Sequence, residues 1–197
     1  MFAKTLLGSL AAVVLTSAGL AHALPNQIDF LIKSGAHKDR QGIGIAHLTL
    51  GKKTRVLSFK ALFASSAAYR TKSPSNQGDA CKLLGITTAN IHGTSLRLGW
   101  AYNPATNKMT LRLYAYLNGA RINEPVTEVA LNAWHSVELR IGNDGVSAQV
   151  NGTKVSRPTS AGFRALTSTW VLKTAYFGGD ETAPQDIAVQ VKDIAVH

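Results

Sequence analysis

The sequence predicts a single all-β domain of two packed antiparallel sheets, and three observations carry that prediction. Apolar and polar residues alternate with a period of two in many short segments after residue 25, and no long segment follows the helical period. Turn chemistry divides those segments: Asn118-Gly119, Asp144-Gly145 and Asn151-Gly152 tolerate positive φ, and residues 72–79 form a polar loop around Pro74, Asn76 and Gly78. No repeat, low-complexity linker or second domain is visible in the 197 residues, a length that suits one domain.

The predicted strands follow in chain order. Ile28–Ile32, Ile43–Leu50 and Arg55–Phe63 come first, with a loop from Gly35 to Gly42 that carries His37, Lys38, Asp39 and Arg40. Lys82–Ile86 begins after the polar loop, and Ser95–Tyr102 and Met109–Leu117 are joined through residues 103–107. Val126–Ala130 comes after Asn118-Gly119, and His135–Ile141 and Val146–Val150 flank Asp144-Gly145. Val171–Phe177 runs into Gly178-Gly179, where a tight bend leads toward the last strand, Asp186–Val196.

One hairpin can be read residue by residue. Leu96, Leu98, Trp100 and Tyr102 share a face of its first strand, and Met109, Leu111, Leu113 and Ala115 share a face of its second. The loop length sets Leu98 opposite Leu113 and Trp100 opposite Leu111, so this face turns to the core. The opposite face holds Arg97, Thr110, Arg112, Tyr114 and Tyr116, with Gly99 leaving space beside Arg112. That combination suits sugar recognition, because a ring stacks on the apolar face of a pyranose and a guanidinium offers paired donors to hydroxyls or carboxylates. Arg97, Arg112, Tyr114 and Tyr116 are therefore the candidate ligand-binding residues.

The first 23 residues stand apart. Lys4 supplies a positive start, Leu6 to Leu20 is uncharged and apolar, and Ala21-His22-Ala23 has the form of a cleavage site. This predicts a signal peptide over 1–23, a mature domain over 24–197, and export to the periplasm or beyond. The apolar run is too short to cross a bilayer, and no other run is longer. A formal net charge of +10, from 21 Lys and Arg against 11 Asp and Glu, directs an exported domain toward anionic partners such as acidic polysaccharide or cell-surface glycan. No nucleic-acid motif and no zinc-ligand spacing accompanies the charge. Cys81 is the only cysteine, so no internal disulfide forms, and it reads as a small buried hydrophobe.

Residues 134–153 carry a resemblance. Trp134-His135-Ser136-Val137-Glu138-Leu139-Arg140-Ile141, a short turn, and Val146-Ser147-Ala148-Gln149-Val150-Asn151-Gly152-Thr153 are similar to the WHxV…VNG hairpin of the concanavalin A-like lectin/glucanase superfamily, which includes laminin-G-like domains. Tyr176-Phe177-Gly178-Gly179, a loop, and Asp186-Ile187-Ala188-Val189-Gln190-Val191 resemble the end of such domains. The resemblance implies an antiparallel two-sheet jelly roll with a glycan site on the concave sheet or in rim loops. It also places Trp134 as a cap at one end of the core. Rim-loop calcium is common in lectin-like sandwiches, and Asp180, Glu181 and Asp186 are the candidate ligands for it.

Two enzyme classes can be weighed. Glycoside hydrolysis needs two carboxyl groups flanking the bond, and the ExDxxE run of the superfamily's glucanases is missing. The jelly-roll alginate lyases need a base, an acid and neutralisation of a uronate, and His47, His92, His135, Arg97, Arg112, Tyr114 and Tyr116 supply the residue types. Their RxEL, QIH and YFKxGxYxQ signatures are absent, and Tyr176-Phe177-Gly178 matches only two letters of the last. The expectation is thus an exported, non-catalytic, lectin-like domain. A polyuronate lyase is the alternative, and an adhesion module with a protein partner is the second.

Overall fold

The computed structural model describes residues 26–39, 49–51, 55–159 and 169–197. The segment 1–23 read as a signal peptide lies outside the described residues, as do residues 43–48 of the second predicted strand, His47 among them.

Twelve strands are described: β1 (Gln27–Ile32), β2 (Thr49–Gly51), β3 (Val56–Phe63), β4 (Cys81–Thr87), β5 (Thr94–Asn103), β6 (Lys108–Leu117), β7 (Ala120–Val129), β8 (Trp134–Ile141), β9 (Gly145–Val150), β10 (Thr153–Pro158), β11 (Trp170–Lys173) and β12 (Ile187–Val196). They form two six-stranded antiparallel sheets, ordered β1-β12-β3-β8-β9-β10 and β2-β11-β4-β5-β6-β7. The chain changes sheet after β1, β2, β3, β7, β10 and β11, so no sheet is a simple meander. This is an antiparallel two-sheet jelly-roll sandwich.

Alternation explains which face of each strand is dry. Leu57, Phe59, Ala61 and Phe63 of β3 are buried between the sheets, as are Val137, Leu139 and Ile141 of β8. The central hairpin has the register read from sequence: Leu98 pairs with Leu113 and Trp100 with Leu111, and all four are 0% exposed. The Trp100 ring sits among Phe63, Tyr69 and Phe177, with centroids 5.6, 6.1 and 6.2 Å away. Cys81 is buried beside them, its Sγ 3.8 Å from the Tyr69 hydroxyl, and burial pushes its thiol up to about 12.

Two of the three predicted turn pairs adopt positive φ throughout. Asn118-Gly119 joins Leu117 to Ala120 at φ 51° and 83°, and Asn151-Gly152 joins Val150 to Thr153 at 47° and 91°. That matches the twist of the flanking strands. Asp144-Gly145 differs: neither residue has positive φ, and the pair closes a four-residue loop through a Gly142 N–H to Gly145 carbonyl bond of 2.8 Å. Asn151 also anchors β8. Its Oδ1 accepts from the Ser136 N–H at 2.9 Å, and its Nδ2 donates to His135 Nδ1 at 3.0 Å. Asn151→Ala is expected to lower stability by about 2 kcal/mol, from left-handed backbone strain plus two lost bonds. Thermal melting should show a Tm lower by roughly 4–8 °C.

Several expectations change. β7 starts at Ala120 rather than Val126, and β10 was not foreseen; both are edge strands that carry a proline, Pro125 and Pro158. An edge strand needs neither strict alternation nor every N–H. Arg157 of β10 ion-pairs with Glu124 of β7 across the two sheets' edges. The strand predicted over Val171–Phe177 stops at Lys173. Trp134 does not cap the core: it shares the outward face of β8 with Ser136 and Glu138, and Lys192 Nζ lies 4.2 Å above its ring. His135 takes the inward place instead, donating from Nε2 to the Ala130 carbonyl at 2.8 Å.

Candidate functional site

The outward face of the second sheet is built from three cross-strand rows. The first runs Val171, Thr87, Ser95, Tyr116, Arg121, and the second Lys173, Gly85, Arg97, Tyr114, Asn123. The third runs Tyr176, Lys82, Gly99, Arg112, Pro125. Residues directly opposite in an antiparallel pair share a face, so the pairing alone gathers five cations and three tyrosines. All four candidate ligand-binding residues, Arg97, Arg112, Tyr114 and Tyr116, lie in these rows.

They differ in depth. Arg97 is only 6% exposed; its guanidinium donates to the Thr174 carbonyl at 2.6 Å and the Leu83 carbonyl at 3.2 Å, and its Nε has no partner. Burial lowers its pKa to about 10. Gly85 makes this possible, because a Cβ there would come within 2.5 Å of the Arg97 Cα. Tyr114 is 8% exposed, and burial, then its bond to Tyr116, pushes its phenol up to about 12. The Tyr114 and Tyr116 rings meet edge to face at 5.9 Å, and His92 packs edge-on against Tyr116 at 5.1 Å. Arg112 is half-buried, its Nε donating to Asn123 Oδ1 at 2.7 Å. Arg97 is therefore the floor of this face, and Arg112, Tyr116 and Arg121 are its accessible surface.

Three further residues join them that sequence reading did not single out for the site. Lys82 lies between two rings, its Nζ 4.8 Å from the Tyr114 centroid and 5.4 Å from that of Tyr176. Burial first, then the charge of Arg97, lowers its pKa. Tyr176 stacks on His37 at 5.3 Å with the planes 8° apart, and His37 Nδ1 donates to the Phe177 carbonyl at 3.0 Å. Phe177 in turn packs in the Trp100 cluster, which ties the site to the core.

Cations dominate the electrostatics, with the Asp79 charge also acting on Lys82. The ion pairs among the described residues are Lys33–Asp186, Lys60–Asp193, Arg140–Asp144 and Arg157–Glu124, and none involves Lys82, Arg97, Arg112, Arg121 or Lys173. By contrast, a shallow depression of about 300 Å³ on the outer face of the first sheet, lined by Lys60, Glu138, Asn151 and Asp193, contains both signs.

The acids considered for calcium do not converge. Glu181 accepts from the Lys72 and Ser73 backbone N–H groups and from Asn76, while Asp186 binds Lys33 and the Ser34 N–H. Among the described residues, no three His, Cys, Asp or Glu gather as a metal-binding group. His135 belongs to the opposite sheet and is spent on structural bonds.

No family model and no curated protein sequence matches the chain. Solved structures do match, and they define the fold class: antiparallel jelly-roll sandwiches. The particular neighbours are alginate lyases. AlyC3 superposes with a TM-score of 0.56 at 13% identity, covering 87% of this chain and 74% of that one. A Chlorella virus alginate lyase gives 0.54 at 10% identity over 85% and 83%. The family 7 alginate lyase A1-II′ with a bound substrate gives 0.55 at 10% identity over 87% and 77%. An alginate lyase from Pseudomonas aeruginosa gives 0.51 at 10% identity, this chain spanning 65% of its length. At such identity the likeness establishes the fold. It also corrects the functional expectation: the neighbours are lyases that bind polysaccharide rather than lectins, so the non-catalytic lectin reading gives way to its alternative. No helix among the described residues is long and apolar enough to cross a membrane.

Proposed function

We propose that the protein is an exported polysaccharide lyase acting on a polyuronate such as alginate. The observation that carries the reading is the outward face of the second sheet, where cations without acidic partners surround buried and half-buried tyrosines. Export rests on residues 1–23, and the lyase reading gains support from the fold's neighbours.

Lyase chemistry explains why such a face is useful. Removing the C5 proton of a uronate places negative charge on the carboxylate, and fixed cations stabilise that charge where it develops. Repeating carboxylates along the polymer meet Arg112 and Arg121, while Tyr116 offers a ring to a pyranose face. The dense positive field also raises the rate of encounter with a polyanion and makes it salt-sensitive.

The test is incubation with alginate and other polyuronates while following the absorbance of the C4=C5 double bond. Arg112→Ala is expected to raise KM about tenfold, the value of one charge-assisted contact. A flat trace on every polyuronate overturns the reading, and an active enzyme with unchanged KM in Arg112→Ala removes Arg112 from the site.

A further inference from the structure

We propose that Lys82 is the group that takes the C5 proton and that Tyr176, directly opposite it, gives a proton to the departing O4. The inference rests on the lyase reading and assigns its acid and base.

The pairing is unusually direct. The Lys82 N–H donates to the Tyr176 carbonyl and the Tyr176 N–H to the Lys82 carbonyl, both at 2.8 Å, although the two residues are 94 positions apart in the chain. A doubly bonded antiparallel pair places both side chains on the same side. Nζ then rests 5.4 Å from the Tyr176 ring centroid, and a Cβ on Gly178 would approach Nζ to 2.8 Å, so the amine occupies a fitted position. His37 stacks on the Tyr176 ring and holds its plane. His37 Nδ1 is occupied by the Phe177 carbonyl.

The surroundings suit Lys82 to the part of base. The groups acting on it are Arg97, Arg121, Cys81 and Asp79, with the Tyr114 and Tyr176 rings against its Nζ. Burial and Arg97 together favour the neutral amine, as in other catalytic lysines.

The step balances without a co-reactant. The C5–H bond breaks and its proton passes to the Lys82 amine. The electron pair left behind, first shared with the carboxylate, forms the C4=C5 double bond. The C4–O4 bond breaks with its pair on O4, which takes the Tyr176 hydroxyl proton. The Lys82 ammonium then returns a proton to the Tyr176 phenolate, and both groups are restored.

Lys82→Arg keeps the charge but cannot accept a proton at working pH. On the polyuronate the wild type cleaves, the variant is expected to lose about 100-fold in kcat, with KM within threefold. It should also lose the limb of the pH–rate profile on which activity climbs as Lys82 gives up its proton. Lys82→Ala with added methylamine should recover part of the rate, which a purely structural lysine would not allow. A Lys82→Arg enzyme with kcat within threefold and an intact ascending limb overturns the assignment and leaves the lyase reading standing. Should Lys82→Arg fail to fold, absence of amine rescue in a folded Lys82→Ala overturns it equally. A wild type inactive on every polyuronate overturns the lyase reading, and this assignment falls with it.

Discussion

Trp100→Ala is expected to cost the fold about 4 kcal/mol, the largest effect of any single side-chain truncation considered for this protein. Trp100 is 0% exposed and meets Phe63 from one sheet, Tyr69 from the crossing segment, and Phe177 beside the site. Truncation leaves a cavity that three rings on different segments cannot close together. For a domain of this size the Tm should fall by roughly 8–16 °C. Trp100→Phe separates packing from polarity. The indole N–H has no hydrogen-bond partner, so phenylalanine removes an orphaned donor along with part of the volume. Its cost is expected to be about 1 kcal/mol, and denaturant melts of the two variants read the difference directly.

Arg97→Met is expected to cut product formation roughly 10²–10³-fold while leaving the Tm within about 6 °C of wild type. Two terms of opposite sign produce the small stability change. A charge buried without a carboxylate is held less favourably than in water, as its lowered pKa of about 10 shows, and methionine relieves that. Against this, the Leu83 and Thr174 carbonyls lose their donor, at about 1–2 kcal/mol each. Catalysis has no such compensation. Without Arg97, Lys82 keeps its proton to higher pH, so the ascending limb of the pH–rate profile should move upward while the fold persists. A variant with full activity and an unmoved limb would show that Arg97 serves packing alone.

The sequence was most informative where alternation was strong and the loop short. Residues 95–116 revealed face and register together, because leucines at every second place leave one way to bury them. The edge strands were hard to see for the complementary reason. Thr153–Pro158 has a single apolar side chain, Val155, and Ala120–Pro125 has no alternation that burial requires. The candidate site was half legible. Arg97, Arg112, Tyr114 and Tyr116 come from one hairpin and were visible as a stripe. Lys82, Tyr176 and His37 come from three distant segments, and only pairing between those segments joins them. The available signal was a lysine inside an otherwise apolar run, Cys81–Ile86, together with Gly85 and Gly99, where bulk was withheld.

Strand β4 has one residue more than its partner between Lys82 and Gly85, where Leu83 and Leu84 together oppose Leu98. The site therefore depends on counting as much as on chemistry. Regular pairing of the same residues back from Gly85 would set Lys82 opposite Trp100, in the oily interior, and bring the Cys81 thiol out where an alkylating dye could find it. The doubled leucine absorbs that half-period and returns the amine to the wet side.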